Sequence, residues 1–326
     1  MCICLSGGRN EQVGETCRPG RETLKALRVH EYGAALQLDQ TDAPAAGVGQ
    51  VIVRNQATSL NPIDPLRASG VVRSMFPIAL PWTPGGDVSG VVEAVGEGVT
   101  AFEVGDAVFG YSTPGGAYAE LVAIDIGSLA HRPEALSVEA GAAVAVVSQT
   151  AIQMLHLANL SAGQTLLIHA GAGGVGSLAI QVAHCTGIHV ITTAQAEQVD
   201  TLMGLGAERV IDYNKERFEE VLSPVDAVLD LVGRDTLERS YGIVKRGGTL
   251  VTANQPPDLE QCQRHGIEGF MVQTKVTTQG LCDFANTVTS GSVAPQIAHT
   301  ERLWNPESVW AKRPSGTAVG KIVFTL

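Results

Sequence analysis

The chain has 326 residues, 44% of them hydrophobic and 17% charged, which is ordinary for a globular protein with a large core and long enough for two domains. A net charge of −11 and the absence of any Lys/Arg-rich run argue against nucleic acid or an anionic membrane as partner. No stretch reaches the roughly 18 uninterrupted apolar residues of a membrane helix, and the N-terminus has no basic flank followed by an apolar segment, so neither a membrane span nor a signal peptide is expected.

The six cysteines, Cys2, Cys4, Cys17, Cys185, Cys262 and Cys282, are scattered and read as reduced thiols of a cytoplasmic protein rather than as a disulfide framework. Cys2, Cys4 and Cys17 have no His or fourth Cys nearby to complete a zinc site.

In chain order, residues 1–24 read as a polar extension without sustained period. Strands are predicted at Lys25–His30 and Val51–Gln56. The run Asn61-Pro62-Ile63-Asp64-Pro65 excludes regular helix and central strand through its two prolines. Glycine-broken strands around Gly85–Gly96, Asp106–Gly110 and Ala117–Ile124 suggest a curved, barrel-like antiparallel fold. Ser137 is placed to cap a helix, and Thr150–Leu157 is a second helical stretch.

From Gln164 the texture changes to alternating strand and helix. Strands are expected at Thr165–Ala170, His189–Thr193, Arg209–Ile211, Val225–Leu231, Gly248–Thr252 and Glu268–Val272, with helices between them. That alternation implies right-handed crossovers and a parallel sheet covered on both faces. A helix over Thr278–Ser290 and a last strand over Gly320–Leu326 return to the first domain. The expected organisation is α/β: an antiparallel catalytic domain over 25–148 and 285–326, and a doubly wound dinucleotide-binding domain over 149–284.

The first of those parallel strands leads into Gly171, Gly173 and Gly176, spaced G-x-G-x-x-G, with Gly174 and Val175 between them. Val175, Leu178, Ala179, Val182 and Ala183 then form one helical face. A strand-to-helix turn of this kind presents free amides to a pyrophosphate: Gly171 for the tight turn, Gly173 for close approach, Gly176 for helix–strand packing.

Several motifs occur in a fixed order: Asn61-Pro62-x-Asp64, Pro84-Gly85-Gly86-Asp87-x-Ser89-Gly90, Gly115-Gly116-Ala117-Tyr118-Ala119-Glu120, the glycine loop, Gly206-Ala207 before Ile211-Asp212-Tyr213, and Gly320-Lys321-Ile322-Val323. In these the chain from about Lys25 to Leu326 resembles the zinc-free, quinone oxidoreductase-like branch of the medium-chain dehydrogenase/reductase superfamily. The resemblance implies a GroES-like catalytic domain, an active site in the cleft beside the Rossmann domain, and a homodimer. Zinc-dependent relatives carry Gly-His-Glu where this chain has Gly85-Gly86-Asp87, and no cysteine stands near Ile63 and Asp64 or within Tyr111–Tyr118. A three-ligand zinc site lacks its parts, and Asp64 and Asp87 read as structural carboxylates, so no metal is expected.

Without a Lewis acid the easiest hydride acceptor is one already activated, a quinone or an α,β-unsaturated carbonyl. Hydrogen-bond donors and a proton source then suffice. The resemblance places Asn61 on the cleft, where its amide holds substrate oxygen or nicotinamide ribose; stabilising the turn before Pro62 is the equal alternative. Asp64 is an orienting carboxyl. Pro65 and Leu66 stand where several relatives have an aromatic or polar residue, which leaves Tyr111 as the phenol nearest the cleft.

For the cofactor, the strand ending Thr192-Thr193-Ala194 has no acid to hold a ribose 2′-hydroxyl, which favours NADPH over NADH. The resemblance implies that Tyr213 meets the 2′-phosphate; Lys215 beside it is a second candidate, with a solvated surface lysine as the equal alternative. Thr150, Val232 and Asn254 lie where the nicotinamide half should run, and Lys321 where the C-terminal strand approaches the cofactor. Two alternatives remain open: an NADPH-binding sensor without turnover, and an enoyl-thioester reductase.

Overall fold

The computed structural model describes residues 23–311 and 317–326. Of the expected extension only Thr23 and Leu24 are among them, and both belong to the first strand; Cys2, Cys4 and Cys17 lie outside the described residues.

The chain opens with an antiparallel hairpin of β1 (Thr23–Arg28) and β2 (Gln37–Asp42). Then follow β3 (Gln50–Ser59), α1 (Ile63–Ala68), β4 (Asp87–Val95), β5 (Ala107–Tyr111), β6 (Leu121–Asp125), β7 (Leu129–His131) and α2 (Val138–Ala158). The alternating half comprises β8 (Thr165–Ile168), α3 (Gly174–Cys185), β9 (His189–Ala194), α4 (Val199–Gly204), β10 (Arg209–Asp212), α5 (Phe218–Val221), β11 (Val225–Asp230), α6 (Asp235–Ser240), β12 (Val244–Thr252), α7 (Leu259–His265) and β13 (Glu268–Met271). The chain closes with α8 (Thr278–Thr289), β14 (Ile297–Arg302), α9 (Pro306–Val309) and β15 (Lys321–Thr325).

Two sheets organise these elements. The six strands β8–β13 form an all-parallel sheet in the order β10-β9-β8-β11-β12-β13. The order reverses between β8 and β11, the crevice where such sheets bind ligands. The other sheet has seven strands, β14-β15-β3-β4-β5-β7, with β6 also paired to β3. Long β3 accepts β6 along Gln50–Arg54 and β15 along Ala57–Ser59, and bulges on its β4 side bend it. The C-terminal strand β15 therefore pairs with β3 in the seven-stranded sheet.

Three local expectations are corrected. The prolines of 61–65 do not exclude helix: α1 forms, with Pro62 as its N-cap and Pro65 in the first turn, where a missing N–H forfeits no helical bond. The two helical stretches after Ser137 are one helix, α2. The Ser137 hydroxyl accepts from the Ala140 amide, and Asn159 ends the helix in a left-handed conformation (φ 49°). The strand expected from Ala117 starts at Leu121, with Ala119 making only a single bridge to Ala26.

Helix α2 is apolar and long enough to cross a membrane by length and composition, yet most of it is buried within the fold. It packs between the sheets, touching β3, β4, β5 and β15 on one side and α3, β11 and β12 on the other. Its small residues Ala142, Ala143, Ala145 and Ala151 let both sheets approach, and one core cluster runs through it from Phe109 to Leu229.

Candidate active site and cofactor cleft

The glycine loop joins β8, at the centre of the parallel sheet, to α3. A Cβ at Gly171 would come within 2.0 Å of the Thr192 hydroxyl, and one at Gly176 within 2.4 Å of the Ala170 carbonyl oxygen. Both glycines are required by packing. At Gly173 a Cβ would meet only the Ala170 carbonyl, at 3.4 Å, so the loop is open there and leaves the close approach that a pyrophosphate needs. Val175 packs its side chain against the core.

The left-handed residue of the turn is not Gly171 but Ala170 (φ 57°). That conformation costs about 1–2 kcal/mol for a residue with a Cβ. Below it His169 is fully buried, with Nδ1 3.2 Å from the Thr193 hydroxyl and Nε2 3.1 Å from that of Ser240. Burial, reinforced by the Arg239 guanidinium, pushes its pKa down to about 3, so it is a neutral strut. Thr193 also accepts from the Ala170 amide, so its hydroxyl braces the loop from below.

The outer cofactor candidates gather at the ends of β9 and β10. The Tyr213 amide donates to the Ala194 carbonyl and its ring is exposed. Lys215 is exposed and pairs with Asp212 at 3.2 Å. On the other side of the switch point, Val232 and Asn254, just past the ends of β11 and β12, line one cleft together with Leu66 of α1, so residues of both lobes meet there. Asn254 Nδ2 donates to the Leu231 carbonyl. Thr150 is buried; its hydroxyl donates to the Val146 carbonyl at 3.0 Å and lies 2.9 Å from that of Thr274.

Behind the cleft is a buried polar cluster built on Asp87, which is 0% exposed. One carboxylate oxygen accepts from the Ser59 hydroxyl (2.5 Å), Asn61 Nδ2 (2.6 Å) and Lys321 Nζ (3.4 Å); the other accepts from the Val146 amide of α2 (2.9 Å). Lys321 Nζ also donates to the Asn61 side-chain carbonyl and to the Leu60 main chain, both at 2.6 Å. The Asn61 amide is thus gripped at both ends, between a cation and an anion. Burial pushes the Lys321 pKa down, with Asp87 and Asp64 opposing it. The Lys321 ammonium points into this cluster, while its stem lies against the glycine loop: a Cβ on Gly174 would approach Lys321 Cδ at 2.6 Å.

Asp64, 2% exposed, caps its own turn by accepting from the Asn61 amide at 2.9 Å. Burial raises its pKa to about 7. The native chain therefore holds a proton that the unfolded chain, titrating near 3.8, gives up, and this contribution to stability is lost as pH rises from about 4 through 7. Asp64→Asn keeps the acceptor and cannot ionise. Its stability should match that of the native chain at pH 4 and exceed it by more than about 1 kcal/mol at pH 8. Denaturant melts across that range would show the gap opening; a constant gap would refute it.

Two tyrosines complete the cluster, and two glycines make room for them. A Cβ on Gly85 would lie 2.2 Å from the Tyr118 ring, and one on Gly86 2.3 Å from the Tyr111 ring. Burial, then the charges of Asp64 and Asp87, raise both phenols well above their usual pKa, so both keep their protons. The Tyr118 hydroxyl is fully buried beside Asp64 without a well-formed hydrogen bond.

The sequence named Asn61, Asp64, Tyr111 and Lys321 but not Ser59 or Tyr118, and it did not link Asp87 to Lys321. The only advance signal was the paired Gly85-Gly86, which marks a close approach without saying what approaches. The same geometry tests zinc. At Gly86, where zinc-dependent relatives place a His, the Tyr111 ring fills the space a side chain would need. Among the described residues no three His, Cys, Asp or Glu side chains converge. These residues do not fit a zinc centre.

Comparison with known proteins agrees with this architecture. Residues 47–134 match the alcohol dehydrogenase GroES-like domain and residues 174–280 the family described as zinc-binding dehydrogenase. Quinone oxidoreductase of Rattus norvegicus is 33% identical over 243 residues, covering 71% of this chain and 73% of its own. The 2-methylene-furan-3-one reductase of Solanum lycopersicum is 36% identical over 241 residues, 70% of this chain and 61% of its own. The crystal structure of Escherichia coli quinone oxidoreductase complexed with NADPH superposes with a TM-score of 0.83 at 26% identity, over 93% of this chain and 100% of that one. With both lobes, the reversed parallel sheet and the glycine loop in place, the chain belongs to the medium-chain dehydrogenase/reductase superfamily, in its quinone oxidoreductase-like branch.

Proposed function

We propose that the protein is an NADPH-dependent reductase of quinones or conjugated enones. The observation that carries this reading is the Tyr111 ring seated against Gly86: the catalytic lobe offers a protonated phenol where its zinc-dependent relatives offer a metal ligand, with the Asp64 carboxyl, its pKa raised by burial, in the same cluster. Such a site suits an acceptor that needs a proton rather than a Lewis acid.

When bound, NADPH supplies a hydride from C4 of its nicotinamide, directly to the acceptor. The chain's own residues do the rest. The free amides of Gly174, Val175 and Gly176 at the start of α3 hold the pyrophosphate, Gly173 leaves it room to approach, and Tyr213 with Lys215 meets the 2′-phosphate. Val232, Asn254 and Thr150 border the nicotinamide half. Asn61, clamped between Lys321 and Asp87, positions the floor of the site. Tyr111, whose phenol burial keeps protonated, donates the proton that balances the hydride.

Oxidation of NADPH, followed by absorbance against a panel of quinones, enones, enoyl thioesters and simple aldehydes, is the test. Turnover of quinones or enones is expected. Activity confined to NAD with alcohols, or dependent on added zinc, would overturn the reading. The relatives support it by name: one reduces a methylene-furanone, and a fold neighbour binds NADPH.

A further inference from the structure

The cleft between Leu66 and the ends of β11 and β12 has a volume of about 480 Å³. Leu66 and Val232, 41% and 47% exposed, give it an apolar wall. Arg234 lines it as well, and among the described residues its guanidinium has no ion pair and no hydrogen bond. The other cations near the cleft are committed. Arg67 donates to the Pro114 carbonyl and stacks on Phe76, Arg239 pairs with Glu219 and Asp235, and Lys321 is turned into the buried cluster. Asp235, the acid adjacent to Arg234, pairs with Arg239 rather than with Arg234.

Arg234 is also held in place. Its backbone sits at φ 52°, ψ −130°, a conformation that residues with a Cβ rarely adopt and that persists only where the surroundings enforce it. Here they do. The buried Asp230 carboxylate accepts from the Val232 and Gly233 amides, the Arg234 amide donates to Gln255 Oε1, and Asn254 donates back to the Leu231 carbonyl. Two loops brace one another, and the product is an unpaired guanidinium on the rim of an apolar cleft.

We infer that Arg234 selects acceptors carrying an anionic group, such as a carboxylate, at a distance from the conjugated carbonyl. This rests on the reductase reading and names its substrate class. The guanidinium pairs with the carboxylate while Leu66 and Val232 cover the apolar part of the acceptor.

Benzalacetone carrying a para-carboxylate and its methyl ester test this: both are enones, only one is charged, and the ring separates the charge from the conjugated carbonyl. The KM for the acid should lie about tenfold below that for the ester, and Arg234→Gln should raise the acid's KM about tenfold, the worth of one charge-assisted hydrogen bond. The ester's KM should shift by less than about twofold, since a neutral ester forms no ion pair with the guanidinium, and the KM for NADPH, held at the glycine loop, should shift as little. Arg234→Lys should keep most of the preference. Gln, like Arg, carries a Cβ into this strained backbone, so the comparison isolates the charge. Equal KM values for acid and ester in the native chain would overturn the inference while leaving the reductase reading intact. A rise in the KM for NADPH alone would also overturn it and assign the guanidinium to the cofactor. Reduction of neither compound, nor of any quinone or enone, would overturn both.

Discussion

Asp87→Ala should lower the free energy of unfolding by about 4 kcal/mol, the cost of removing one partner from a buried ionic cluster. The carboxylate is fully buried and accepts four hydrogen bonds, from Ser59, Asn61, Lys321 and the Val146 amide. Truncation leaves all four donors facing a cavity, one of them an ammonium. Each donor keeps its desolvation cost and loses a bond, although Lys321 retains its bonds to Leu60 and Asn61. The effect spans the molecule because these donors come from β3, from the turn before α1, from α2 and from β15. Asp87→Asn keeps the shape and part of the acceptor capacity, and should cost about half as much. Denaturant unfolding of the three proteins would measure both differences. A loss below about 1 kcal/mol for the alanine variant would show that the cluster is not the keystone described here.

Gly173→Asp should weaken NADPH binding about a hundredfold, which is about 3 kcal/mol, with the fold intact. A Cβ fits at Gly173, since only the Ala170 carbonyl is near, at 3.4 Å, and the backbone angle there (φ −76°) is open to any residue. The carboxylate then occupies the mouth of the loop, where it repels a pyrophosphate and competes for the same amides. Gly176→Ala supplies the contrast. Its Cβ would lie 2.4 Å from the Ala170 oxygen and 2.8 Å from Gly171 Cα, so α3 must move off β8 and the melting temperature should fall. Fluorescence titration with NADPH alongside thermal melts separates the two. Normal NADPH affinity in Gly173→Asp would remove the loop from the binding site.

Much of the fold was legible along the chain because it is local. The glycine loop, the period-3.6 face of α3 and the strands that alternate with helices in the second half depend on residues within a few positions of each other. The order of the motifs carried the two-lobed architecture as well. Elements with weak local signals were missed. Strand β14, Ile-Ala-His-Thr-Glu-Arg, has no apolar alternation and exists because it lies beside β15. Helix α1 forms despite Pro65 because the proline falls within the first turn. The turn chemistry was misplaced by one residue, since Ala170 adopts the left-handed angle and Gly171 is needed by Thr192, a residue of the neighbouring strand.

The sequence alone determined that a dinucleotide-type loop sits at a strand-to-helix turn in a two-lobed chain, because glycine spacing and hydrophobic period act through neighbouring peptide units. The tertiary structure decided the rest. It chose the partner of the Asn61 amide, the inward direction of Lys321, the Tyr111 ring that fills the space before Gly86, and the guanidinium of Arg234 left, among the described residues, without an ion pair. Each is a contact, or the lack of one, between residues separated by tens to hundreds of positions, such as the 260 between Asn61 and Lys321. Charge, burial and fit across such distances are set by how sheets and helices pack, and no pattern along the chain encodes them.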